Sequence, residues 1–209
     1  MRLGCVPHLP LQQLQAFLGA LATGLPGEAA EVAHLRTDEQ VRRLRSGKLD
    51  LGLVDDVVDP AGLHGEPVFA GEPLAAVLAF NHRLVTRPAV TRDELRHETL
   101  LLFPRSVDPA LHDWFTALIT SDGYGFREVR DTGDADLRDV VLAVGEGRGV
   151  TLAPRSALVN AGAVGTLVTA RDLRPLQRAP GTLLVWSGAP ASTIAAARRA
   201  ARELRRHSG

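Results

Sequence analysis

The residues of this chain that could do chemistry are scattered along it and form no compact signature. Its seven histidines, His8, His34, His64, His82, His97, His112 and His207, include no i, i+4 pair and no C-x-x-C companion, the spacings that zinc sites use. Cys5 is the single cysteine. It cannot form an internal disulfide, and its place in the apolar run 3–6 marks a buried thiol in a reducing compartment. There is no G-x-S-x-G elbow and no phosphate loop. Asp55, Asp56 and Asp59 cluster, but the glycine and bidentate glutamate of a calcium loop are missing, so a solvated loop is expected. The run Val144-Gly145-Glu146-Gly147-Arg148-Gly149-Val150 has the spacing G-x-G-x-G and follows a helical pattern. A dinucleotide fingerprint is G-x-G-x-x-G, after a strand and opening a helix. The run therefore reads as a packing turn, and no metal, cofactor or enzymatic centre is expected.

Composition narrows the partners. The 209 residues, 45% hydrophobic, can fill one generous domain or two small lobes. Lys plus Arg equals Asp plus Glu, 24 each, so no global basic field draws the chain to nucleic acid or anionic lipid. The N-terminus has no secretory run and no 18-residue apolar stretch occurs, which leads to the expectation of a cytoplasmic protein with no membrane partner.

The elements that must position these residues follow from periodicity. Strands are expected at 2–6, 29–34 and 49–54, with helices between them. The first helix carries Leu11, Leu14, Phe17, Leu18 and Leu21 on one face, and the second opens on a capping box, Thr37-Asp38-Glu39-Gln40. Strand, helix, strand, helix, strand implies a parallel sheet with right-handed crossovers. After a loop at 55–63, strands are expected at 68–70, 74–80, 100–103 and 126–132, with helices capped at Thr91 and Asp108 and a third over 136–144. The glycine run leads into a strand at 150–153, and strands at 166–169 and 183–186 precede an Ala-rich helix at 192–207. Arg198, Arg199, Arg202, Arg205 and Arg206 crowd the end of that helix, where the dipole favours cations by about 0.3–1 kcal/mol each. No aromatic residues interleave with them, so nucleic-acid contact is not inferred. The fold class is α/β with two lobes.

Five segments share their order and spacing with a known family. They are Arg2-Leu3-Gly4-Cys5; Thr37 followed by Leu44-Arg45-Ser46-Gly47-Lys48-Leu49-Asp50-Leu51-Gly52-Leu53-Val54; Glu72-Pro73-Leu74 leading to Asn81-His82-Arg83-Leu84; Leu101-Leu102-Phe103-Pro104-Arg105; and the glycine run through Pro154. Over essentially its whole length the chain resembles the effector-binding regulatory domain of LysR-type transcriptional regulators. The resemblance implies two Rossmann-like lobes joined by two crossover strands, similar to type 2 periplasmic binding proteins, with a small-molecule effector in the interlobe cleft. The segments expected are 1–78 for lobe I, 79–165 for lobe II and 166–209 for the return to lobe I, with crossovers near 77–80 and 165–168. Family members carry an N-terminal winged helix-turn-helix and linker helix that this sequence does not contain. DNA is therefore expected to be reached only through such an N-terminal domain, whether the sequence is a fragment or a truncated regulator. A solute-binding protein of a transport system would share the fold, but it would carry a secretion signal.

In open α/β lobes, ligands gather beyond the carboxyl ends of strands and at helix N-termini. His8 and Leu9 follow the first expected strand, Thr37 opens the second helix and Asp55 follows the third strand. These positions match effector-contacting positions in the family, whose members commonly carry Ser or Thr where His8 stands. A histidine capping the helix entrance is the alternative for His8, and simple N-capping is the alternative for Thr37. Asp55 argues against a dicarboxylate effector and for an amine- or hydroxyl-bearing one. In the second lobe Phe103, Arg105, Gly133 and Asp134 are expected to face the ligand. Arg105 suits a bidentate carboxylate contact, and equally a surface ion pair with a nearby Asp. The family also pairs two such domains antiparallel, as homodimers or tetramers. That resemblance assigns Val41 and Leu44, with Leu111, Phe115 and Leu118, to the pairing surface, although core packing accounts equally well for at least half of them.

Overall fold

A computed structural model describes residues 1–57, 62–121, 125–133, 137–160 and 167–207. The chain folds as two compact units, Met1–Gly71 with Pro180–Gly209, and Glu72–Ala179. Among the described residues no helix is long and apolar enough to cross a membrane.

Unit 1 contains β1 (Arg2–Cys5), α1 (Leu11–Gly24), β2 (Glu31–His34), α2 (Thr37–Arg45), β3 (Leu51–Asp55) and β4 (His64–Phe69). Its final elements, β11 (Thr182–Trp186) and α7 (Ala191–His207), arrive at the end of the chain. The sheet order is β2-β1-β3-β11-β4, with β1 parallel to β2 and β3, as the strand-helix alternation implies. β11 runs antiparallel to both β3 and β4. Alternate residues face opposite sides of a strand. Accordingly Leu3, Cys5, Leu51 and Leu53 join Phe17 and Leu21 of α1 and Ala197 and Ala201 of α7 in one core. On the other side Leu44, Leu49, Val54 and Val185 form a second core. Leu11 begins α1 and is 57% exposed, so the apolar stripe of that helix is Leu14, Phe17 and Leu21. The arginines of α7 do more than complement the dipole, because Arg198 and Arg202 both reach Glu66 on β4, at 2.6 Å and 3.3 Å.

Unit 2 holds β5 (Leu74–Ala79), β6 (Ala89–Thr91), α3 (Arg92–Leu95), β7 (Thr99–Leu102), α4 (Pro109–Ser121) and β8 (Glu128–Asp131). It continues with α5 (Leu137–Gly145), β9 (Thr151–Pro154), α6 (Arg155–Asn160) and β10 (Val168–Arg174). One sheet has the order β6-β10-β5-β9, and β7 and β8 form a parallel pair. Both expected caps are present. Thr91 and Glu94 make a reciprocal capping box, and Asp108 accepts from Leu111 N at 3.1 Å. The boundaries expected at 78/79 and 165/166 fall inside this unit or outside the described residues, because β5 and β10 pair with each other and stay with β6 and β9. β10 also runs on to Arg174, five residues past the strand end read from the sequence, where Asp172, Leu173 and Arg174 pair with β6.

The glycine run packs a helix against a strand, as expected. α5 ends at Gly145, and Gly147 turns the chain at φ +77°, a region that side chains rarely occupy. A Cβ on Gly149 would lie 2.4 Å from the Thr99 carbonyl oxygen, which accepts from Val150 N at 2.9 Å. Gly149→Ala is expected to destabilise the fold by about 1–3 kcal/mol, because the backbone of β7 cannot yield without losing that bond. Urea unfolding of the two proteins measures the difference; equal midpoints would contradict it.

Candidate functional site

Because β1, β2 and β3 are parallel, their carboxyl ends share one edge of the unit 1 sheet. Of the residues singled out from the sequence, His8 and Asp55 meet at that edge, and Thr37 opens the helix that follows β2 there. Asp55 ends β3 and is 4% exposed. Its Oδ1 lies 2.9 Å from His8 Nε2, while its Oδ2 is buried with no hydrogen-bond partner among the described residues. His8 sits in the turn after β1, closed by Leu9 N donating to Val6 O at 3.1 Å. The N-cap position of α1 is Pro10, with no side-chain cap bond. The buried carboxylate is the stronger partner for the ring. Leu9 packs into the apolar core beneath, with Leu14 and Phe17.

Thr37 is the first residue of α2, and its hydroxyl is buried with no partner among the described residues. The expected capping box at Thr37 does not form: the N-cap position is Arg36, whose side chain makes no capping hydrogen bond. The reason is the fate of Gln40. Its amide is fully buried, and Nε2 donates to Leu35 O at 2.7 Å and to Leu53 O at 3.1 Å. Gly4 and Gly52 face each other in register, and a Cβ on either would come within 2.8 Å of Gln40 Oε1. Gln40 therefore fills the space left by two bare backbone positions. Sequence reasoning missed this role, although a glycine inside each of two apolar strands is the signal for close approach.

Asp56, the next residue, is fixed differently. Its Oδ1 accepts from Gly181 N at 2.9 Å, and its own N–H donates to Gly181 O at 3.0 Å. Burial pushes its carboxyl above the usual range; the Gly181 bond opposes that and the Asp55 charge adds to it. Asp59 lies outside the described residues. Among the described residues no three His, Cys, Asp or Glu side chains gather where they could hold a metal ion.

In unit 2 the expected residues are tied to local partners. Phe103, after β7, packs edge-on against His112 and Phe115, with centroids 6.1 Å and 6.3 Å away. Arg105 makes a two-pronged pair with Asp113, both bonds 2.7 Å, so the surface ion pair is the arrangement present. The pair holds the Asp113 carboxyl below its usual range. Gly133 lies after β8 at φ +89°, its N–H donating to Asp131 Oδ1 at 2.8 Å. Asp134 lies outside the described residues. Of the residues assigned to pairing, Leu44, Phe115 and Leu118 are buried in the cores of their own units. Val41 and Leu111 are half-buried.

Residues 1–208 match the family model of the LysR substrate binding domain. The chain belongs to this family. It is 27% identical over 157 residues to the HTH-type transcriptional regulator YnfL of Escherichia coli (strain K12), covering 75% of this chain and 52% of that protein. It is 31% identical over 159 residues to the probable hydrogen peroxide-inducible genes activator of Mycobacterium avium, covering 76% of this chain and 50% of that one. The chain thus spans about half the length of the curated relatives it matches. Among solved structures it is similar to the BenM effector binding domain with its effector benzoate, with TM-score 0.83 and 17% identity over 100% of this chain and 93% of that one. The effector binding domain of QuiR in complex with shikimate gives TM-score 0.80 and 15% identity, over 99% of this chain and 97% of that one. These likenesses establish the type 2 periplasmic-binding-protein-like fold.

The packing of Gln40 makes a separable prediction. Gly52→Ala is expected to cost about 1–3 kcal/mol in the native background and clearly less beside Gln40→Ala, since the colliding amide is then gone. A denaturant double-mutant cycle reads the coupling, and simple additivity would refute the contact.

Proposed function

We propose that this chain is the effector-sensing domain of a LysR-type transcriptional regulator, with a small molecule bound in unit 1 at His8, Thr37 and Asp55. The observation that carries the site is the pair of buried, unpartnered polar atoms, Asp55 Oδ2 and Thr37 Oγ1, at the strand-end edge of a domain of this family. Buried polar atoms are nearly always bonded, and such atoms are costly unless something supplies the bond. Leu9 lends the floor of the site. In unit 2 the corresponding strand-end positions after β7 and β8 are Phe103 and Gly133. The domain acts as a sensor rather than a catalyst: effector binding shifts an equilibrium between arrangements, by no more than its differential affinity for them, typically about 1–3 kcal/mol.

A peroxide-sensing thiol, the reading that the Mycobacterium avium relative's name raises, finds no support in these 209 residues. Cys5 is fully buried, and burial pushes its thiol up to about 11, so the reactive thiolate is scarce at neutral pH.

Thermal unfolding against a library of small metabolites tests sensing. A true effector at about 100 times its Kd adds roughly 2.7 kcal/mol of stability. His8→Ala, Thr37→Val and Asp55→Ala should each weaken that response; full response in all three would remove the site. DNA control lies with the longer regulator, and a second copy of the chain is the expected partner. Self-association is assigned to the half-buried Val41 on α2 and Leu111 on α4. Sedimentation should show a dimer that Val41→Glu with Leu111→Glu dissociates, whereas a strict monomer at high concentration would rule it out.

A further inference from the structure

We propose that the effector presents a cationic hydrogen-bond donor, an ammonium or amidinium nitrogen, to Asp55. The inference rests on the unit 1 site proposed above and names the chemistry of its ligand. An ionised carboxylate is acceptor-only. Asp55 Oδ1 is engaged by His8 Nε2 at 2.9 Å, and Oδ2 is buried with no donor. A ligand that brings N–H or O–H groups would complete that oxygen. The Asp55 side chain is 6% exposed and that of His8 35%, so the carboxylate is the drier member of the pair and the imidazole its wetter rim. Asp56 adds a second carboxyl on the next residue, and its oxygen already accepts from Gly181 N. A positive nitrogen is favoured over a neutral hydroxyl because it also balances this concentration of carboxylate.

The same geometry disfavours a simple carboxylate. Benzoate and shikimate, bound by two structurally similar proteins, each carry one. A carboxylate beside Asp55 would set acceptor against acceptor and charge against like charge in a place with little water to separate them. An acceptor oxygen elsewhere on the ligand has a counterpart in Thr37. Its hydroxyl, unpartnered among the described residues, stands at the N-terminus of the nine-residue α2, whose N-cap makes no capping side-chain hydrogen bond. Donor toward β3 and acceptor toward α2 define an amino compound with an oxygen function.

The test uses the native chain and matched probes: benzylamine, benzyl alcohol and benzoate, with butylamine, butanol and butyrate, and a set of free amino acids. Thermal shift and titration calorimetry are read for the native chain, Asp55→Asn, which keeps the acceptor for His8, and Thr37→Val. Ammonium-bearing members should bind more tightly than their carboxylate partners, and Asp55→Asn should weaken them by about tenfold or more. Carboxylates binding as well as the amines, or amine binding that survives Asp55→Asn, would overturn the proposal, as would silence from every ammonium member at millimolar concentration. A carboxylate weakened by Thr37→Val would keep the site and discard only this chemistry. Binding indifferent to both variants would discard the site itself.

Discussion

A single buried amide fixes α2 to the unit 1 sheet. Gln40 reaches past Gly4 and Gly52 to bond the carbonyls of Leu35, after β2, and Leu53, within β3. The two carbonyls belong to different segments, so one side chain sets the height and the rotation of the helix. Thr37, Gln40 and Leu44 are the buried positions of α2, the i, i+3, i+7 series of one helical face. Once Gln40 is seated, Thr37 must turn inward at the strand ends and Leu44 must enter the core. The inward hydroxyl at the head of the helix is thus a consequence of packing three residues further on.

Against that frame the carboxylates of unit 1 divide by the strength of their partners. Asp50 accepts from the guanidinium and the backbone N–H of Arg2, and the side-chain bond holds it below the usual range. Burial of Glu66 acts to raise it, but bonds from Arg198 and Arg202 outweigh burial and hold it low. These carboxylates fasten strands to other strands or to helices. Asp55 is bonded by an imidazole, with one oxygen left over, and it occupies the strand-end edge where α/β folds place ligands. Glu66 also leaves one buried oxygen, Oε2, without a partner among the described residues, so it is position at the strand ends, together with a partner no stronger than an imidazole, that sets Asp55 apart.

How much of this was legible in the sequence depended on how local its cause was. The parallel β1, β2 and β3 followed from alternating strand and helix periods, and the caps at Thr91 and Asp108 from short-range patterns. The cap at Thr37 failed because its partner residue, Gln40, is claimed by a carbonyl on β3, which no window of four residues reveals. Apolar helical spacing found Leu44, Phe115 and Leu118 but could not say whether that face meets the chain's own sheet or another copy, and here it meets the chain's own core. The residue type of Arg105 suits a ligand carboxylate and a neighbouring Asp equally, and its bidentate pair with Asp113, eight residues on, is the local one. The end of β10 was missed because its pairing partner, β6, lies about eighty residues earlier in the chain. His8, Thr37 and Asp55 were legible as strand-end positions, but their unfinished hydrogen bonding required the three-dimensional arrangement.

The sheet order of unit 1 has a consequence for the order in which the protein is made. β11, from the last thirty residues, is inserted between β3 and β4 rather than added at an edge. A nascent chain that has emerged through Gly71 therefore holds β3 and β4 without the strand that joins them. Unit 2 is contiguous from Glu72 to Ala179 and can close its own core while unit 1 still waits. Of the two units, the one that starts earlier in the chain is the one completed later.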